Sequence, residues 1–271
     1  MPGLLEGKKA LVAGVATRNS IAWGIARALH AHGAQLAFLC QENNVKRVTR
    51  LAARVESDVI VPCDVRSDED ITHAAEHVGI AFGGELHVLV HSIAVANIDD
   101  LGGEFIRVTR DGWNLALEVS AYSLVAMARQ FRPLLIQGGG GSVMTLTFLG
   151  GQRVMPGYNI MGVAKAALDA SVRYLAYDLG PDGIRVNAIS AGPIRTVSSM
   201  VVEGLDVALQ SVKEASPLLR PVSIDDMGAS AVYLASELAA GVTGQVLSVD
   251  SGMSIMTPDA RKRRRAESGK E

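Results

Sequence analysis

Apolar runs of strand length alternate along the chain with longer segments in which apolar residues recur every three or four positions. The first pair is residues 10–13 followed by 21–32, where Ser20 is a candidate N-cap. The pattern repeats as 35–40 before 45–55, then as 59–63 before a helix opening near Ser67. Strands are predicted at 86–91 and 141–146, separated by one long helical stretch, 110–136, that stops at the glycine run 138–141. A helix at 159–180, a strand at 184–190, a helix at 224–238 and a last strand at 245–250 complete the series. Only 193–217 lacks an assignment.

Seven strands joined by helical crossovers predict a parallel sheet, because parallel neighbours need long, right-handed connections. The expectation is therefore α/β: a single-domain, Rossmann-like, doubly wound seven-stranded parallel sheet with helices on both faces, spanning 1–257. With 48% hydrophobic and 20% charged residues, the 271-residue chain has ample material for a core, which excludes extensive disorder. A formal charge of −2 argues against nucleic acid as a partner. The exception is the end: residues 261–271 hold six basic and two acidic side chains, and 258–271 reads as a solvated basic tail. Cys40 and Cys63 close apolar runs and read as buried, reduced thiols of a cytoplasmic protein. The apolar run 10–16 is too short for a signal peptide, and no stretch reaches the roughly 18 apolar residues of a membrane span, so no membrane partner is expected.

In such sheets ligands bind beyond the carboxyl ends of the strands. After the first strand the chain reads Gly14-Val-Ala-Thr-Arg-Asn-Ser20-Ile21-Ala-Trp-Gly24. This is not the compact dinucleotide fingerprint, yet it supplies a glycine turn, a helix N-terminus with free N–H groups and a small residue, Gly24, for helix–strand contact. The second strand ends at Gln41-Glu42 with no cation in the immediate turn, which favours NAD(H) over its 2′-phosphorylated form. Asp64 after the third strand offers a carboxylate for an adenine amino group, and Ser92-Ile93-Ala94 after the fourth lets backbone approach a cofactor. No metal-ligand pattern is present. Tyr158 and Lys165 stand seven residues apart after the fifth strand. On a helix of about 3.6 residues per turn that spacing puts a phenol and an ammonium on one face.

Tyr158-x6-Lys165, the loop Gly14-x5-Ser20-Ile21-Ala22, Gln41, Cys63-Asp64-Val65, His91-Ser92-Ile93 and the run 185–196 together resemble the bacterial NADH-dependent enoyl-acyl-carrier-protein reductases. These form a divergent branch of the short-chain dehydrogenase/reductase family, and the resemblance covers about 4–256. Most short-chain dehydrogenases have Tyr-x3-Lys and an asparagine in the long helix, where this chain has Ser120. The resemblance implies that NADH delivers hydride to the β-carbon of a trans-2-enoyl thioester carried on acyl carrier protein, with Tyr158 steadying the thioester oxygen and Lys165 holding the nicotinamide ribose. It further implies cofactor contacts at Gly14, Ser20, Ile21, Gln41, Asp64, Val65, Ser92, Ile93, Ile194, Arg195, Thr196, Val197 and Ser198. Substrate contacts are implied at Ala96, Phe148, Tyr158 and Met161, and a closing loop over the acyl chain at 196–215, with Val197, Met200, Val201 and Val202 lining it and Met155 nearby. A homotetramer is implied, with Arg195 or Arg220 as points where the acidic carrier protein docks.

Two departures stand out. Phe148 replaces a tyrosine common in the family, so no hydroxyl acts there, and Ala94-Val95-Ala96-Asn97 replaces a stretch that usually holds glycine, phenylalanine and proline. The altered stretch leaves open a reductase of ketones or imines. A non-catalytic dinucleotide-binding regulator would not need the Tyr158–Lys165 pair.

Overall fold

The computed structural model describes residues 3–196, 199–200 and 204–257. Seven parallel strands form one sheet in the order β3-β2-β1-β4-β5-β6-β7. They are β1 (Lys9–Ala13), β2 (Gln35–Cys40), β3 (Val59–Pro62), β4 (Val88–His91), β5 (Gly141–Thr147), β6 (Ile184–Ala191) and β7 (Val246–Val249). The order reverses between β1 and β4, which opens the crevice where ligands of doubly wound sheets bind. Helices α1 (Ile21–Ala31), α2 (Val45–Ala52) and α8 (Ile224–Ala235) cover one face, and α3 (Asp68–Ala81), α5 (Ser123–Gln137) and α6 (Asn159–Leu179) the other. Each face buries its own apolar cluster, so the central strands are apolar on both sides. The fold is the α/β sheet read from the alternation of periods.

Three local expectations need correction. The predicted single helix over 110–136 is two: α4 (Arg110–Leu117) and α5 are joined by a π turn, Glu118–Tyr122. Periodicity cannot register one inserted residue when both flanking segments keep an apolar face. The unassigned stretch 193–217 contains a helix, α7 (Leu205–Ala215). Gly24, read as a helix–strand contact, faces another helix: a Cβ there would lie 2.3 Å from the Ile224 carbonyl oxygen, so its missing side chain lets α1 cross the start of α8 closely. Cys40 and Cys63 are buried and unbridged, as expected. They belong to the clusters on opposite faces of the sheet, and burial pushes their thiols up to about 11 and about 12. No helix among the described residues is long and apolar enough to cross a membrane.

Candidate active site

The carboxyl edge of the sheet gathers most of the residues singled out in the sequence. Gly14 follows β1 with φ +99°, and a Cβ there would stand 2.0 Å from the carbonyl oxygen of Ser92, just past β4. Only glycine fits both the conformation and the approach, so the two strand ends converge at Gly14. Ser20 precedes α1 but its hydroxyl does not cap the helix. It turns back to accept from the backbone N–H groups of Ala16 (3.2 Å) and Thr17 (2.9 Å), which shapes the loop. The first N–H groups of α1 are thereby left to a ligand, and a helix N-terminus with free donors suits a pyrophosphate.

Gln41 lies exposed at the end of β2. Arg47, one turn later, donates to the Ala16 carbonyl (3.2 Å) and so lies beside the same loop. Asp64 is half-buried, with its carboxylate held below the usual range by the forked Arg66 guanidinium. An adenine amino group would have to share that carboxylate with Arg66. Val65 is buried, Ile93 packs partly against the α3–α5 face, and Ile194 is buried after β6. Thr196 donates its N–H to Ser199 Oγ (2.7 Å), and Arg195 forms an exposed ion pair with Asp206 of α7. Val197, Ser198, Val201, Val202 and the tail 258–271 lie outside the described residues. A cavity of about 190 Å³ beside α7 is lined by Arg195, Met200, Leu205 and Val207. Arg220 is occupied by Asp226 in a bidentate pair (2.8 Å to each oxygen).

Tyr158 and Lys165 sit at the start of α6, with Tyr158 at the N-cap rather than inside the helix. The turn Leu149–Gly151 after β5 packs on both: a Cβ on Gly150 would lie 2.6 Å from the Tyr158 ring, and one on Gly151 would lie 2.9 Å from the Lys165 backbone. Phe148 meets the Tyr158 ring edge-on, centroids 5.0 Å apart. This contact orients the ring without giving its hydroxyl a partner, and burial raises the phenol, already neutral at pH 7, further above its ordinary value.

Lys165 is 6% exposed, and its Nζ donates to the Leu146 carbonyl (2.7 Å) near the end of β5. Burial lowers its ammonium to about 8, opposed by the Asp169 carboxylate one turn on. Asp169 is itself pushed up by burial, opposed by the neighbouring side chains of Thr147 and Gln152 and by the Lys165 charge. A buried ammonium beside the Asp169 carboxylate and the Thr147 hydroxyl fits a ligand rich in hydroxyls, such as a ribose.

Met161 is buried with Ile160 and Ala164, and Ala96 and Tyr158 pack partly buried against that cluster. The substrate residues named from the sequence therefore meet in one place. Sequence reading missed the Leu146 carbonyl, Asp169, and the partners of His91, which is fully buried between Thr145 Oγ1 and Ser123 Oγ at 2.8 Å each. No short-range spacing announces contacts 54 and 32 residues distant; the one available signal was a histidine inside an apolar strand. Among the described residues no group of three His, Cys, Asp or Glu side chains is placed to hold a metal ion.

Comparison with known proteins places the chain. The family model described as Enoyl-(Acyl carrier protein) reductase matches residues 14–254. The enoyl-[acyl-carrier-protein] reductase [NADH] FabI of Bacillus cereus is 49% identical over 93% of this chain and 99% of its own length. A crystal structure of the Bacillus cereus enoyl-acyl carrier protein reductase with NADP+ and indole naphthyridinone superimposes with a TM-score of 0.91 at 48% identity, covering 94% of this chain and 99% of that one. The Anaplasma phagocytophilum reductase, crystallised with NAD, gives 0.90 at 40% identity over 94% and 97%. By its sheet order, its Tyr158–Lys165 turn and this near-complete match, the chain belongs to the enoyl-(acyl carrier protein) reductase family.

Proposed function

We propose that this protein reduces the carbon–carbon double bond of trans-2-enoyl groups, carried as thioesters on acyl carrier protein, with NADH as reductant in fatty acid elongation. The observation that carries this reading is the pair at the start of α6: a buried, neutral phenol, and an ammonium anchored on the Leu146 carbonyl, both held by the turn after β5. The loop at Gly14, Ser20 and Ile21 would hold the pyrophosphate, Gln41 and Asp64 the adenosine, and Ser92, Ile93 and the 194–196 segment the nicotinamide end. Bound there, the reduced cofactor supplies hydride to the β-carbon.

Negative charge then develops on the thioester oxygen, where Tyr158 donates a hydrogen bond. Lys165 binds the ribose hydroxyls and keeps a positive charge close to the developing enolate. At neutral pH it holds its proton, since burial brings it no lower than about 8. Protonation at the α-carbon completes the reduction. Phe148 contributes ring orientation and no proton. Helix α7, beside the cavity lined by Arg195, Met200 and Leu205, would cover the acyl chain.

The test is loss of NADH absorbance with trans-2-octenoyl-coenzyme A, set beside NADPH and a panel of ketones. Turnover of the enoyl thioester is expected, and Tyr158→Phe should lower it about 10²-fold while NADH affinity stays within about twofold. Turnover of a ketone but of no enoyl thioester would refute the reading. NADH binding with no turnover of any substrate would favour the regulator. We further propose a homotetramer, supported by the exposed Trp113, Tyr122, Tyr174 and Tyr177 on α4, the π turn and α6. A monomer mass in sedimentation equilibrium would refute it.

A further inference from the structure

The hydrogen bonds around His91 have one consistent direction. Ser123 Oγ donates its single proton to the Val119 carbonyl (2.7 Å), so at its contact with His91 Nε2 it accepts. Nε2 therefore carries the imidazole proton, and Nδ1 accepts from Thr145 Oγ1. The result is a buried chain from β5 through β4 into the π turn that ends on the carbonyl of Val119. Ser120, the next residue on that turn, is fully buried and faces a different element. Its Oγ accepts from the Val95 N–H (3.0 Å) and donates to the Val95 carbonyl (3.1 Å), 3.8 Å from Met161 Sδ. One hydroxyl thus takes up both backbone polar groups of Val95, whose side chain is exposed. Ala96, the next residue, packs with Tyr158 on the Met161 cluster.

We propose that Ser120 is a positioning residue for the enoyl thioester: clamping Val95 fixes the 94–97 edge of the substrate pocket beside Tyr158, and the His91–Ser123 chain holds Ser120 in place through the π turn. The proposal rests on the enoyl-reductase reading for its substrate. Alignment of a thioester with a hydride donor tolerates little misplacement, so a loosened edge acts on substrate and leaves the cofactor loop alone. Ser123 acts in series with Ser120, which predicts that removing both costs no more than removing Ser120.

The experiment compares Ser120→Ala, Ser123→Ala and the double variant with the parent protein. It measures steady-state kinetics with trans-2-octenoyl-coenzyme A, NADH binding by fluorescence, and hydrogen–deuterium exchange. Ser120→Ala should lower kcat/KM for the thioester about tenfold, chiefly through KM, and Ser123→Ala about threefold. The double variant should match Ser120→Ala within about twofold, and NADH affinity should not move beyond that in any of them. Exchange should rise at 94–97 in all three and stay unchanged at 14–21. Multiplicative losses in the double variant, an equal loss of NADH affinity, or unaltered exchange at 94–97 would overturn the proposal. If Ser120→Ala does not fold, Ser123→Ala decides alone by the same exchange readout. Failure of the parent protein to turn over enoyl thioesters would sink the functional reading; the exchange data test the clamp separately.

Discussion

The two halves of the sheet's carboxyl edge are built differently. At β1–β3 most of the site's polar contacts are short in sequence and at least partly exposed: Ser20 reaches back to Ala16 and Thr17, and Arg66 grips Asp64 two residues away, with Arg47 to Ala16 the longer exception. At β4–β6 they are distant and buried: His91 meets Thr145 and Ser123, and Lys165 reaches the Leu146 carbonyl. The first half presents a ready backbone surface to a phosphate, for which local turns suffice. The second must hold titrating groups in fixed protonation states, which requires burial, and burial draws on residues from several elements.

The contrast has a ranking of consequences. Gly14 is where the halves touch, so Gly14→Ala should destabilise most, by about 3–5 kcal/mol, because the new Cβ meets the Ser92 carbonyl in a conformation that alanine resists. A thermal melt within a degree or two of the parent would show that the two strand ends are not in contact.

Next comes acid. Burial and the nearby Lys165 charge lower His91 from 6.5 to about 3. A depressed folded-state value means that the unfolded chain takes up the proton first, so this histidine's contribution is complete above about pH 6.5 and fades as pH falls toward 3. Between those limits stability should drop progressively, by about 1 kcal/mol per pH unit from this group alone. His91→Asn should flatten that part of the urea-derived stability profile. An unchanged slope would break the assignment of a buried neutral imidazole.

Smallest is the local half. Ser20→Ala removes two hydrogen bonds to a partly exposed loop and should cost about 1 kcal/mol, with a weaker NADH complex. A loss as large as that at Gly14 would erase the distinction between the halves.

Much of this was legible from the chain. The alternation of periods gave seven strands and their crossovers, and the strand-end positions gave Gly14, Ser20, Tyr158 and Lys165, because strand length, turn glycines and helical spacing are properties of neighbouring residues. Where the reading went astray, the cause was again locality: two helices and a π turn carry the same apolar face as one helix, and Gly24 was assigned to the sheet when its neighbour is Ile224, two hundred residues on.

What the sequence determined by itself was the order of elements, the glycine loop between the first strand and its helix, and the presence of a phenol and an amine after the fifth strand. Only the tertiary structure decided that the amine is buried on the Leu146 carbonyl with its pKa brought down to about 8, that the phenol is buried against Phe148, and that His91 is a neutral link to the π turn. Protonation state and hydrogen-bond direction follow from desolvation and from partners dozens of residues away, and periodicity along a chain carries no record of either.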